Sequence, residues 1–240
     1  ISISENSRKR EKRIVQEMIE NRMDGVLLVP LNKPNEDVSY LLTLEAAEIP
    51  MVYVTSQYPA VQRPYVMCDL YSGMRKMVRF LYGEGCRKIA MMIGPSGVYC
   101  MDQREMGYRD ELRALGLTYE NTMRLEDVDY ASALSQILSQ RAPEMDAIAC
   151  VNDMMALGVI NALNANGLNV PGDIAVAGYD DLIYSRISSV PITTVKQNLE
   201  AVADIATQMI LSLIAHADTE PRAVIDCDVI VRSSTKRRGA

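Results

Sequence analysis

Short apolar runs alternate with amphipathic helical stretches along almost the whole chain, and this alternation constrains the fold more than any other feature. The runs at 26–29, 51–54, 89–93, 147–151, 174–178 and 224–231 are rich in Val, Ile, Met and Ala, and most are bounded by Gly, Pro or Asp. Continuous apolar runs of this length read as strands buried on both faces. Between them, apolar residues recur at helical spacing. Ile14, Val15, Met18, Ile19 and Met23 follow the capping residues Asn6 and Ser7, and Met74, Met77, Val78 and Leu81 form a second stripe. Helices are also expected at 38–47, 104–115, 131–141 and 154–166. Leu199, Val202, Ile205, Ala206, Met209, Ile210 and Leu213 mark the longest helix, 199–216. Repeated β-α-β units predict parallel sheets with helices on both faces.

With 240 residues, 48% hydrophobic, the chain can bury a sizeable core as one large domain or two lobes. No apolar run approaches bilayer length, and the chain turns charged within a few residues of Ile1, unlike a secretion signal. Five cysteines, odd in number and never spaced as C-x-x-C, read as small buried hydrophobes in a reducing cytosol. A single histidine, His216, argues against a histidine metal site and reads as a helix-end surface residue. The net charge of −6 repels a phosphate backbone, so this segment is not expected to hold nucleic acid itself. Two basic clusters depart from that balance; residues 8–13 read as a solvated helix face and 236–238 as a solvated tail.

None of the common enzyme signatures occurs: no G-x-G-x-x-G after a strand, no phosphate-binding G-x-x-x-x-G-K-[ST], no H-E-x-x-H and no G-x-S-x-G. Asp180 and Asp181 are adjacent at a strand end and point apart, so they lack the convergence that acid–base work needs. The reading is therefore of a protein that is not an enzyme, with no catalytic residue, metal or cofactor. What remains is a set of polar residues at the carboxyl ends of strands, where parallel α/β sheets bind ligands. Asn152 and Asp153 follow the run 147–151, Tyr179 to Asp181 follow 174–178, and Arg104 opens a helix after a loop at Gly94. Asn152 and Asp153 have a plainer reading as caps of the next helix, and Asp153 is assigned the cap. Together, a guanidinium, an amide and a carboxylate suit a polyhydroxylated or heterocyclic ligand.

Three linked segments carry a resemblance: VNDMMALG at 151–158, GLNVPGDIAVAGYDD at 167–181 and PITTVKQ at 191–197. In order and spacing they resemble the lac repressor (LacI/GalR) family of bacterial transcription regulators. Weaker matches at Met23-Asp24-Gly25, Asp69 to Leu81, Arg104 with Gly107-Tyr108, and 231–235 extend the resemblance over essentially the whole chain. It implies a two-lobed periplasmic-binding-protein-like α/β fold with a ligand cleft between the lobes. The expected division is 1–93 plus 194–217 against 94–193 plus 218–240, with crossings near Gly94, Thr193 and Ala217. The resemblance also implies that Arg104, Asn152 and Asp180 bind ligand from one lobe and Gln197 from the other. The family's aromatic facing the ligand falls on Leu125, and Tyr99 or Tyr130 offers a replacement.

Family members begin with a helix-turn-helix, and this chain begins at what resembles the second strand of the sensing domain, 1–4. The resemblance therefore implies a preceding first strand and DNA-binding domain, with operator DNA as a partner. It also implies a small-molecule effector, sugar or purine-like, a homodimer, a cytoplasmic location and no membrane. Sugar-binding proteins of bacterial transport systems share the fold and are the competing reading.

Overall fold

The computed structural model describes residues 1–31, 33–34, 37–118, 120–125 and 144–236. The expected helix at 131–141, Tyr130 and residues 237–238 of the basic tail lie outside the described residues. The chain divides into two compact units, one made of Ile1–Asp69, Gly97–Cys100 and Asn198–Ile225, the other of Leu70–Ser96, Met101–Gln197 and Asp226–Ala240.

The first unit is built on a four-stranded parallel sheet of β1 (Val26–Leu28), β2 (Met51–Val54), β3 (Tyr65–Cys68) and β9 (Arg222–Ile225), in the order β1-β2-β3-β9. Helices α1 (Arg8–Glu20), α2 (Leu42–Ala46) and α7 (Leu199–Ile214) belong to this unit. Ser7 caps α1 by accepting from the Arg10 amide, as the sequence predicted for this start. The apolar stripe of α1 meets Val26, Leu41, Leu44 and Tyr53 in a shared core.

Two expectations fail here. Residues 1–4 form no strand, and β1 is not buried on both faces: Leu27 and Val29 are 45% and 60% exposed. Among the described residues β1 is an edge strand, paired with β2 alone. The basic cluster is also not uniformly solvated. Arg8 donates to the Tyr58 hydroxyl at 2.7 Å and lies over its ring, while buried Glu11 accepts from both Tyr40 and Tyr58. Only the outward residues Lys9, Arg10, Lys12 and Arg13 form the exposed face the charge pattern suggested.

The second unit carries a six-stranded sheet in the order β10-β8-β7-β6-β4-β5. Its strands are β4 (Ile89–Ile93), β5 (Asn121–Arg124), β6 (Ala147–Cys150), β7 (Ala175–Asp180), β8 (Thr193–Lys196) and β10 (Asp228–Ile230). All pairs are parallel except β10 with β8. The inner strands β4 and β6 are buried at every residue, which is why they read as unbroken apolar runs. Helices α3 (Leu70–Gly83), α4 (Tyr99–Ala114), α5 (Asp153–Ala165) and α6 (Ile183–Ile187) accompany this sheet.

Strand pairing corrects the expected boundaries. β4 pairs with β5 and β6, so residues 70–93 lie with the second unit and not with 1–69. β8 pairs with β7 and β10, which brings 194–197 into the second unit as well. The run 224–231, read as one strand, is two: β9 pairs with β3 in the first unit and β10 with β8 in the second. Between them, Lys76 holds the Asp226 carboxylate at 2.6 Å. Hydropathy registers that a strand is buried and is blind to which neighbour buries it.

Candidate functional site

The carboxyl ends of three neighbouring strands, β6, β7 and β8, meet around Asp180. β7 ends on Asp180 with φ of 104°, and Asp181 follows at φ of 56°. Two successive non-glycine residues in this region are uncommon and strained, and they turn their carboxylates in opposite directions. Asp181 faces Arg232 and Arg186 at 2.5 and 2.9 Å. Burial pushes its carboxyl up, but the two guanidinium groups outweigh that and hold it below the usual range. The expectation that the two acids do not converge is met.

Asp180 faces the other way. Its Oδ1 accepts from Arg104 Nη2 at 2.9 Å and from Gln197 Nε2 at 2.6 Å. Arg104 sits in α4 with only 7% of its surface exposed, and its Nη1 donates to the Val151 carbonyl at 2.6 Å. Its guanidinium carbon lies 3.9 Å from the centroid of the Tyr179 ring, a cation–π contact beneath the charge. Tyr179 is fully buried, and its hydroxyl donates to the Leu70 carbonyl at 3.3 Å. A Cβ at Gly73 would overlap that hydroxyl, so glycine is what lets α3 approach the tyrosine. Burial raises the Tyr179 phenol well above its ordinary value, so it stays neutral beside Arg104.

The structure thus brings three of the four residues expected at the site, Arg104, Asp180 and Gln197, into one hydrogen-bonded set. Gln197 was expected to reach in from the opposite lobe. It is the last residue of the same unit, because β8 carries it to the strand end next to β7. Gln197 Oε1 is buried and has no hydrogen-bond partner among the described residues. An orphaned acceptor beside a carboxylate asks for donors from outside the chain.

Asn152 does the job that was assigned to its neighbour Asp153. It is the N-cap of α5, its Oδ1 accepting from the Met155 amide at 2.8 Å. Asp153, read as the cap, lies wholly buried one residue into the helix. Replacing Asn152 with alanine is expected to lower stability by about 1 kcal/mol, as the loss of a cap does elsewhere. A thermal unfolding midpoint equal to the wild type's would show that the cap is not used. Leu125, where a stacking aromatic was expected, is buried, and its amide donates to the Ile93 carbonyl at 2.9 Å. Tyr99 opens α4.

Sequence reasoning named Asp153 and Tyr179 at strand ends but missed the contacts of Asp153 with Leu182 and Thr194, the Asp181–Arg232 pair and the stacking of Arg104 on Tyr179. Arg232 lay inside a segment already singled out, but nothing in its spacing identifies Asp181 as its partner 51 residues away. Four of the five cysteines are buried, as expected. Among the described residues no group of three or more His, Cys, Asp or Glu could hold a metal ion, and no helix is long and apolar enough to cross a membrane.

A strand-end site of this composition on a parallel α/β sheet is the arrangement of a small-molecule receptor. In agreement, the family profile described as a periplasmic binding protein-like domain matches residues 78–235. The transcriptional regulator CelR of Thermobifida fusca is 34% identical over 218 residues, covering 88% of this chain and 63% of the relative. The transcriptional repressor PurR of Aliivibrio fischeri is 30% identical over 241 residues, covering 98% and 71%. Among solved structures, a CelR–cellobiose complex superposes with a TM-score of 0.82 at 31% identity, over 95% of this chain and 71% of that one. The chain belongs to the lac repressor family of regulators, in its periplasmic-binding-protein-like domain. It spans about two thirds of the length of these relatives, which are transcription regulators and not enzymes.

Proposed function

We propose that this chain is the effector-sensing part of a DNA-binding transcriptional repressor, and that it holds a polyhydroxylated small molecule at Arg104, Asn152, Asp180 and Gln197. The observation that carries this reading is the pair of acceptors at one strand end: the Asp180 carboxylate and the buried, unpartnered Gln197 Oε1. Adjacent hydroxyl donors on a sugar ring meet such a pair, and Arg104 supplies the donors for a ring or hydroxyl oxygen. The CelR relative was solved with cellobiose, which favours a sugar as the ligand.

The repressor reading places operator recognition outside these 240 residues, in a DNA-binding domain N-terminal to them, and a first strand of the sensing sheet with it. The acidic balance of the chain supports this. The protein is then cytoplasmic, and a homodimer, because paired half-sites need a two-fold partner. Sedimentation of the intact regulator is expected to give a dimer, and a monomer at micromolar concentration would remove that part of the proposal.

The test of function is operator affinity of the intact protein at fixed salt, measured with and without cellobiose or another sugar that binds. A ligand shifts the equilibrium only by its differential affinity for the two states, so Gln197→Ala should reduce that shift more than it disturbs folding. Operator affinity indifferent to every bound sugar would overturn the sensing role and leave a transport-type binding protein in its place.

A further inference from the structure

We propose that Asp153 is a positioning residue for this site: its buried carboxylate holds the left-handed turn at Asp180 and Asp181 from beneath, and so sets how tightly ligand is bound. The inference rests on the assignment of Asp180 to the effector site. Asp153 is 0% exposed, and its Oδ2 accepts from the Leu182 amide at 2.7 Å. Its Oδ1 accepts from the Thr194 hydroxyl at 2.6 Å, and Thr194 Oγ1 in turn accepts from the Asp181 amide at 3.3 Å. One carboxylate thus fixes two successive backbone amides, directly at 182 and through Thr194 at 181. These are the amides that follow the two positive-φ residues. A Cβ at Gly178 would overlap Asp153 Oδ1, so the strand backbone comes as close to this carboxylate as a glycine allows.

Nothing else explains a carboxylate here. Asn152 already caps the helix, no cation pairs with Asp153 among the described residues, and an ionised group without one is costly to bury. Burial pushes its carboxyl up to about 6; the bonds from Thr194 and Leu182 hold it down, and the charges of Asp180 and Asp181 raise it. The titratable groups facing it are the Cys150 thiol at the end of β6, driven upward by burial, and the carboxyls of Asp180 and Asp181 at the end of β7. Thr194 of β8 contributes a hydroxyl.

The direction of the pH effect follows. A carboxyl raised above its unfolded value contributes stability that is present below the ordinary carboxylate range and lost as pH rises through about 6. Acidification therefore favours the fold through Asp153. The same protonation weakens two charge-assisted hydrogen bonds to the turn and loosens Asp180. Stability and ligand affinity move in opposite directions, which a merely structural residue does not produce.

The experiment compares wild type and Asp153→Asn by calorimetric titration with cellobiose at about pH 7.5 and about pH 5.5. Wild-type affinity is expected to fall roughly three- to tenfold on acidification. The variant should show the weaker affinity at both pH values, with an unfolding midpoint no lower than the wild type's. Hydrogen exchange at the Asp181 and Leu182 amides, read without ligand, should be faster in the variant. Wild-type affinity and unchanged protection of both amides in Asp153→Asn would overturn the proposal. A wild type that does not bind cellobiose counts against that effector, not against Asp153, and the exchange measurement then decides alone. If Asp153→Asn does not fold, Thr194→Val removes one of the two arms and must by itself speed exchange at Asp181.

Discussion

Replacing Arg104 with alanine is expected to cost about 3–5 kcal/mol of folding stability and to abolish detectable effector binding, the largest effect of any single change at the site. Arg104 is almost fully buried, and its loss strands three partners together: the Asp180 carboxylate, the Val151 carbonyl and the face of the buried Tyr179 ring that it covers. Removing one member of a buried pair leaves the other charge without compensation, which costs far more than the pair contributes net. Arg104→Lys should recover little, because a point charge on a flexible stem cannot satisfy two acceptors in fixed directions while lying flat on an aromatic ring. Chemical denaturation measures the first effect and calorimetric titration the second. An Arg104→Ala protein with the wild type's midpoint would mean that the contacts to Val151 and Asp180 are not maintained in solution.

Asp180→Asn separates recognition from folding. Asparagine tolerates positive φ, so the backbone at 104° is retained, and its Oδ1 still accepts from Arg104 and Gln197. What is lost is the charge, and with it hydrogen bonds to ligand worth about 1.5–3 kcal/mol, or roughly ten- to a hundredfold in affinity. The expected result is a folded protein that binds effector that much more weakly. Titration showing the wild-type affinity would withdraw Asp180 from the site.

The layers of this fold were legible because burial leaves a one-dimensional trace. The strands β2, β4 and β6 and the helices α1, α3 and α7 coincide with apolar runs and helical stripes. The elements that were overlooked, β3, β5 and α6, span only four or five residues each; β5 and α6 are also mixed in character, with intermediate or exposed positions beside a single buried one. The proposed site residues Arg104, Asn152, Asp180 and Gln197 come chiefly from their resemblance to a known pattern, since an isolated Arg or Asp carries no mark of its partner.

Sequence alone determined the class of the fold, the parallel sheets, the absence of a common catalytic signature and the strand ends at which polar residues gather. Tertiary structure decided the rest: that residues 70–93 side with 101–197, that 224–231 divides between two sheets, and that Gln197 and Arg104 converge on one oxygen of Asp180. It also exchanged the roles of two neighbours, making Asn152 the cap and burying Asp153 under the turn. The physical reason is one of range. Hydropathy and capping act within a few residues and are written in the local sequence, whereas strand order and the partner of a buried charge are settled between residues tens of positions apart, by which arrangement leaves the fewest polar groups unpaired.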